Sequence, residues 1–381
     1  MACGLFVAAL VGGVAATGCS GGRAPLVNNN TVPPDTSLDQ DGGSSDAEAG
    51  PPRCSVPTPE VCDCAELPLA GDPPNVYFVL DHSGSMLSND LWTTVSTVVL
   101  ESVRKIGNRA NFGATMFPAP ASLDACATGK EILSTRRGDS PGTRGPVWQQ
   151  LHDATIGVRP NGGTPTAATL DKIRNTLTAL PGKTFVVLAT DGGPNCNATT
   201  ACTTDNCIFN IESVDVCTPT GPNCCDTPEN RKGGCLDVKA SQDAVKLLGD
   251  NGIATYVIGV PGSGPYGAFL ESLATLGGTA RPSSPKYYRV DTADAAAFSK
   301  TLSQVVAKIV ATCVITLGKP PSDPDKVNVY LDEQVVPQEP DNGWTLEDAT
   351  VTLKGATCEK VLAGEALDVR VVAGCRTFKT K

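Results

Sequence analysis

Two patterns of apolar and polar positions alternate along the middle of the chain. Short, mostly apolar runs, typical of strands buried on both faces, occur at 76–80, 111–117, 185–189, 253–260 and 287–290. Apolar residues recur with the spacing of one helix face over 90–106, 164–180, 238–248, 269–276 and 295–310. Strands that alternate with helices predict an α/β fold with a doubly wound, mostly parallel sheet whose two faces are covered.

The pattern changes to a period of two after residue 312. Apolar and polar residues alternate over 327–331 and 367–372, with Pro and Gly between them. We therefore expect a small antiparallel β module over residues 313–381. A core of this size often needs disulfides, and Cys313, Cys358 and Cys375 lie where they could supply them.

The N-terminal part of the chain has the pattern of an exported protein. Residues 5–16 form an apolar run that is too short to span a bilayer but typical of a signal-peptide core. Small residues directly before Cys19 resemble the lipobox of bacterial lipoproteins. The resemblance implies a signal peptide at 1–18 and a lipidated Cys19 that anchors the chain to a membrane of the bacterial cell envelope, at the surface or in the periplasm. The alternative is a plain cleaved signal with an incidental cysteine.

Composition separates the residues after the signal-like segment into a tether, a lead-in and a folded domain. Residues 19–53 are Gly, Ser, Asp, Asn and Pro with almost no large apolar side chains, so after the lipidated cysteine we expect a disordered tether. Residues 54–74 form a short cysteine-bearing lead-in, and the α/β domain extends over 75–312. The formal net charge of -10 argues against a nucleic-acid binder, which needs a basic stripe.

Cysteine usage also indicates an oxidising compartment, because the chain has 16 cysteines. Cys126 stands alone between clusters with odd numbers of cysteines, so some bridges must join clusters. Zinc is the alternative, but the repeated Cys-x2-Cys spacing of zinc ribbons is missing. The candidates for disulfides are Cys54, Cys62, Cys64, Cys126, Cys196, Cys202, Cys207, Cys217, Cys224, Cys225, Cys235, Cys313, Cys358 and Cys375.

Carboxylates and hydroxyls cluster where strands end and a helix begins. The strand at 76–80 runs into Asp81, with Ser83 and Ser85 directly after it, and the strand at 185–189 runs into Thr190 and Asp191. Between them, Gly-Gly-Thr164 opens a helix. Functional sites in parallel sheets lie at the carboxyl ends of strands. Hard oxygen donors with few charges suit Mg²⁺, so the sequence predicts a magnesium site there.

These residues resemble a known motif. Asp81-x-Ser83-x-Ser85, Thr164 and Asp191 match the five positions of the metal-ion-dependent adhesion site of von Willebrand factor A domains, and the resemblance covers about 75–312. It implies that Ser83 and Ser85 bind Mg²⁺ or Mn²⁺ directly, with Ca²⁺ a further choice. Thr164 would bind directly or through water, and the two aspartates mostly through water or hydrogen bonds to the serines. It also implies one coordination position open to an acidic group of a partner.

The alternative for these residues is ordinary: a strand-end turn at Asp81 and a helix N-cap at Thr164. We expect the metal site, and with it a cell-envelope lipoprotein that binds a protein or other ligand presenting a carboxylate. The other function considered is an envelope assembly scaffold with a structural or regulatory metal. The segment 196–235, with seven cysteines, is either an insertion held rigid by disulfides or a recognition loop beside the metal.

Enzymatic activity is not expected. Residues 262–267 match G-x-G-x-x-G, but the motif lies late in the domain instead of after its first strand. Residues 138–142 match G-x-S-x-G, but loop sequence surrounds them, whereas a nucleophile elbow leads into a helix. A two-metal hydrolase would need more carboxylates than these loops carry.

Overall fold

The computed structural model describes residues 65–67, 69, 72–203, 206–207 and 233–379. The predicted signal peptide, the lipidation site Cys19, the tether, and much of the lead-in and of the insertion at 196–235 lie outside these residues. So do six of the disulfide candidates, namely Cys54, Cys62, Cys64, Cys217, Cys224 and Cys225.

A six-stranded sheet forms the centre of the α/β domain. After the two-residue strand β1 (Ala65–Glu66), its strands are β2 (Asn75–Asp81), β3 (Asn111–Phe117), β4 (Lys130–Arg137), β5 (Thr184–Thr190), β6 (Ala254–Gly259) and β7 (Tyr288–Arg289). The spatial order is β4-β3-β2-β5-β6-β7, and every pairing is parallel except that of β4 with β3. The chain goes from β2 to one side and later returns to β5 on the other. The strand order therefore reverses between β2 and β5, where open α/β sheets bind ligands.

Helices cover both faces of this sheet. They are α1 (Leu91–Ile106), α2 (Pro146–Thr155), α3 (Thr166–Thr178), α4 (Val238–Asp250), α5 (Gly267–Leu276) and α6 (Ala295–Val310). Val76, Phe78 and Leu80 of β2 belong to the core beneath α1, α2 and α6, and Tyr77 and Val79 belong to the core beneath α3, α4 and α5. Because successive side chains of a strand point to opposite faces, an apolar run was the expected sequence for β2. The predicted doubly wound α/β fold is confirmed.

Two elements of this domain were not predicted. The edge strand β4 is mostly exposed, with Leu133 as its one fully buried side chain, so it lacks the apolar run of an inner strand. Helix α2 buries only Val147, Leu151 and Thr155, a narrow stripe in a segment rich in polar residues. Each of the two elements buries so few apolar side chains that its sequence lacks the apolar run or the long apolar stripe that identifies the other elements.

The C-terminal module is antiparallel, as expected, but it contains two sheets. Its elements are β8 (Val314–Thr316), β9 (Val327–Leu331), β10 (Gln334–Val336), β11 (Trp344–Glu347), β12 (Thr350–Leu353), the helix α7 (Gly355–Ala363) and β13 (Val369–Ala373). One sheet has the order β1-β13-β9-β10 and the other β11-β12-β8. The pairing of β1 with β13 brings residues of the lead-in into the module, so the α/β domain lies between two strands of the module along the chain.

Arg109 joins the module to the α/β domain. This buried side chain, at the end of a 3-10 turn after α1, donates hydrogen bonds to the carbonyl oxygens of Leu367 at 2.9 Å and Val310 at 3.2 Å. Burial lowers the pKa of Arg109 to about 10. A charged donor in a buried position leaves a large penalty if its partners are lost, so this contact stabilises the junction.

Disulfides occur in both parts of the molecule. Cys126–Cys196 and Cys202–Cys235 lie in the α/β domain, and Cys313–Cys358 lies in the module. Cys207 and Cys375 are disulfide-bonded as well. The inference that bridges join separate clusters is confirmed by Cys126–Cys196. Nowhere in the described ranges is a helix both long enough and apolar enough to cross a bilayer.

Candidate metal site

The five predicted metal ligands meet at the carboxyl edge of the sheet, between β2 and β5. Asp81 is the last residue of β2, Thr164 lies two residues before α3, and Asp191 follows β5. Ser83 and Ser85 lie in the loop and 3-10 turn that follow β2. A cavity of about 170 Å³ opens at this edge, and its lining comprises Ser85, Ser88, Leu91, Thr164, Asp191, Gly193, Pro261, Gly262 and Tyr266.

Asp81 is fully buried, and hydrogen bonds occupy both of its carboxylate oxygens. Oδ1 accepts the backbone N–H of Ser83 at 2.9 Å, and Oδ2 accepts the hydroxyl of Thr190 at 2.6 Å. The Thr190 oxygen in turn accepts the backbone N–H of Gly192 at 3.0 Å. Asp81 therefore fixes the loops after β2 and β5 relative to each other. Thr190 was not predicted as a site residue, although its hydroxyl stands at a strand end.

The serine hydroxyls hydrogen-bond to each other at a distance that is also compatible with two adjacent ligands of an octahedral ion. Ser83 Oγ and Ser85 Oγ lie 3.1 Å apart, and the Ser85 hydroxyl also hydrogen-bonds to Asp191. Two adjacent ligands of an octahedral Mg²⁺, each about 2.1 Å from the ion, are separated by about 3.0 Å. The donor set and this distance fit Mg²⁺ or Mn²⁺.

Ionisation of both aspartates would place two negative charges side by side in a buried site. Burial, and then the negative charge of Asp191, raise the pKa of Asp81 to about 7 against the opposing hydrogen bonds from Ser83 and Thr190. Burial also raises the pKa of Asp191. Among the residues that the structure describes, no Lys, Arg or His forms an ion pair with either carboxylate. A divalent cation at the serine hydroxyls would balance these charges.

In the described part of the chain, no group of three or more His, Cys, Asp and Glu side chains is arranged so that it could hold a metal ion. The candidate site has two carboxylates, and its other oxygen ligands are hydroxyls.

His82, in the variable position of the motif, packs its ring edge-on against Trp92 with a centroid distance of 4.7 Å. Burial lowers the pKa of His82 to about 4, so the imidazole is neutral near pH 7.

Asn195 holds the backbone of Thr164, the third residue of the site that carries a hydroxyl. The sequence analysis did not identify Asn195. Its Oδ1 accepts the backbone N–H of Thr164 at 2.7 Å, and its own backbone N–H donates to the Thr164 carbonyl at 3.0 Å. The side chain is buried. Asn195 lies 31 residues from Thr164 along the chain, so no local pattern reveals the contact.

The G-x-G-x-x-G segment forms one wall of the cavity. Gly262 lies against Asp191, and the ring of Tyr266 lies against Gly192, where an added Cβ would come within 2.9 Å of it. Gly192 also has φ +112°, a conformation that favours glycine. The structure places this segment at the candidate site, directly before helix α5. The segment comes after β6, and Asp191 comes after β5. Because β5 and β6 are neighbours in the sheet, the two loops lie side by side.

Comparison with solved structures found distant similarities. The pilus adhesin SpaC from Lactobacillus rhamnosus GG is 16% identical over 82% of this chain and 40% of its own, with a TM-score of 0.46. The vWF domain of a type V pilus tip protein from Porphyromonas gingivalis is 14% identical over 64% of this chain and 97% of its own, with a TM-score of 0.41. A von Willebrand factor type A protein from Catenulispora acidiphila is 13% identical over 84% of this chain and 65% of its own, with a TM-score of 0.40.

The match therefore spans well under half of the SpaC adhesin. No protein-family model and no curated protein matches the sequence. Likenesses at this distance do not assign a function to this chain.

Proposed function

We propose that this protein binds Mg²⁺, or Mn²⁺ or Ca²⁺ in its place, and uses the ion to hold a carboxylate of a protein or other acidic ligand. Asp81, Ser83, Ser85, Thr164 and Asp191 would hold the ion. One observation carries the proposal: two buried carboxylates, without a cationic partner in the described chain, stand beside neutral hydroxyls that are 3.1 Å apart. The role is adhesion or interaction, without catalysis.

The chain's own groups prepare the site for an acidic ligand. Both carboxylate oxygens of Asp81 accept hydrogen bonds, from Ser83 and from Thr190. The neutral hydroxyls of Ser83 and Ser85 are therefore the oxygen ligands that the site offers directly to an ion. A bound divalent cation would supply the local positive charge that attracts an outside carboxylate, despite the net charge of -10.

The cavity suits a side chain better than a cofactor. Its volume of about 170 Å³ is below the roughly 300–1,000 Å³ of pockets for small molecules and cofactors. Apolar groups of Leu91, Pro261 and Tyr266 line it together with the polar ones. An Asp or Glu side chain on a protein surface would fill this space, with its aliphatic part against the apolar wall.

The proposed location is the bacterial cell envelope, with the chain anchored through a lipid on Cys19. The signal-like N-terminal pattern supports this location, and so do the disulfides of the described part, which form in oxidising compartments. The proposal includes no nucleic-acid partner, since the acidic chain has no basic stripe to displace counterions.

Affinity capture with the purified ectodomain tests the proposal. Capture from envelope extracts and from host-surface or matrix preparations would run in parallel with MgCl₂ and with EDTA. We expect an eluted partner that is lost with EDTA and with Asp81→Ala, and retained with the exposed control Asp171→Asn, whose side chain is 53% exposed. Partners that survive both EDTA and Asp81→Ala would contradict metal-dependent binding and favour the assembly scaffold.

A further inference from the structure

The loop that presents Thr164 is enclosed between two other loops. On one side, the carbonyl oxygen of Ala125 accepts the backbone N–H of Gly163 at 2.8 Å. Gly162 has φ +85°, and an added Cβ there would clash with that same oxygen. On the other side, an added Cβ on Gly163 would lie 2.6 Å from the Cys196 Sγ atom. The loop thus fits closely between residues 125–126 and 195–196.

A disulfide joins these two flanking loops. Cys126 and Cys196 are 70 residues apart in sequence, and their Cα atoms are 5.3 Å apart. The bridge directly follows both contact residues, since Ala125 precedes Cys126 and Asn195 precedes Cys196. Without the bridge, only non-covalent contacts would hold the two sides of the enclosure together.

Asn195 fixes Thr164 within this enclosure. It engages the N–H and the carbonyl of Thr164 at 2.7 and 3.0 Å, so that both backbone polar groups of the residue are held from one side. The Asn195 amide nitrogen also donates to the carbonyl of Gly233 at 3.0 Å, at the far end of the cysteine-rich insertion. A residue 1% exposed with three such contacts has little freedom to move.

We propose that Asn195 and the Cys126–Cys196 disulfide are positioning elements that hold Thr164 at the candidate metal site. The affinity for the ion then depends on this bridge being oxidised. The inference rests on the proposed function, because it needs an ion at the site. Its physical basis is preorganisation: groups that fix a ligand in place spare the ion the cost of ordering it.

The test is Mn²⁺ binding to the full folded ectodomain, read from the electron paramagnetic resonance signal of free Mn²⁺. Asn195→Ala should weaken binding about 10–100-fold, the usual cost of losing a group that orients a ligand. Asn195→Asp keeps an oxygen that accepts the Thr164 N–H but loses the donor to the Gly233 carbonyl, so it should weaken binding less than Asn195→Ala does. Cys126→Ser combined with Cys196→Ser should weaken binding roughly tenfold.

The matched control is Cys313→Ser with Cys358→Ser, which removes the bridge of the β module and leaves the enclosure intact. It should lower thermal stability without changing Mn²⁺ affinity. Near-ultraviolet circular dichroism and melting curves would report the folding of each variant. If the Cys126/Cys196 variant fails to fold, the contrast between Asn195→Ala and Asn195→Asp decides the question.

The outcomes separate the two proposals. If the wild-type protein takes up no Mn²⁺, the proposed function fails. If the wild type binds Mn²⁺ and Asn195→Ala binds it equally well, only the positioning role is overturned. Equal weakening by Asn195→Asp and Asn195→Ala, or by both disulfide variants, would also overturn it, because the effect would then be general destabilisation.

Discussion

The substitution Asp81→Asn should stabilise the protein when metal is absent. The folded-state pKa of Asp81 is raised from 3.8 to about 7, so folding favours the protonated form. Stability from this group therefore falls as the pH rises from 3.8 towards 7, and the full penalty is present above pH 7. A shift of about three pKa units corresponds to roughly 4 kcal/mol as an upper bound. Asn removes the charge and keeps an acceptor for the Ser83 N–H, but it loses the acceptor for the Thr190 hydroxyl. We therefore expect a gain of about 1–3 kcal/mol at pH 8, below that upper bound.

Magnesium should reduce this advantage. A ligand at 100 times its Kd stabilises the folded state by about 2.7 kcal/mol, and the variant should gain much less because its charge at the site is reduced. Urea unfolding at pH 8, with EDTA and with MgCl₂, measures both effects. Asp171→Asn, which removes an exposed charge from α3, should behave as wild type in both conditions. Destabilisation of the metal-free protein by Asp81→Asn, or equal stabilisation of variant and wild type by MgCl₂, would contradict this prediction.

Three further predictions concern the junction, the module and the anchor. Arg109→Met removes the hydrogen bonds to Leu367 and Val310 and should lower the free energy of unfolding by about 2–4 kcal/mol; an unchanged urea midpoint would contradict this. Burial raises the pKa of Asp368 from 3.8 to about 6, so its contribution to stability falls as the pH rises between these values. Between pH 3.8 and pH 6, the free energy of unfolding of Asp368→Asn should fall by up to about 3 kcal/mol less than that of the wild type. Parallel curves of this free energy against pH for variant and wild type would refute the prediction. Cys19→Ala should abolish incorporation of radiolabelled palmitate in a bacterial host, and label that persists would exclude lipidation at this residue.

The sequence predicted those elements whose packing leaves a regular pattern. β2 and β5 are inner strands buried on both faces, and their apolar runs identify them. The edge strand β4 contacts one neighbour, and the helix α7 buries only two side chains, so both lack a clear period. β1 has two residues, too few for any periodicity, and only its pairing with β13 reveals it.

The site shows the same division between local and long-range information. Asp81, Ser83 and Ser85 form a compact motif after a strand, and the parallel sheet brings Thr164 and Asp191 to the same edge. The contributions of Asn195 and of the Cys126–Cys196 bridge depend on contacts between segments far apart in sequence, which a single sequence does not reveal. Strand order would have placed the loop after β6 beside Asp191, but strand order itself is a tertiary property.

Anomalous diffraction from crystals grown with MnCl₂ would locate the ion. We expect one strong anomalous peak within coordination distance of the hydroxyl oxygens of Ser83 and Ser85, on the side of the cavity lined by Thr164 and Asp191. In crystals of Ser83→Ala the peak should be lost. A peak at another place, or none at millimolar Mn²⁺, would show that these hydroxyls do not bind the ion.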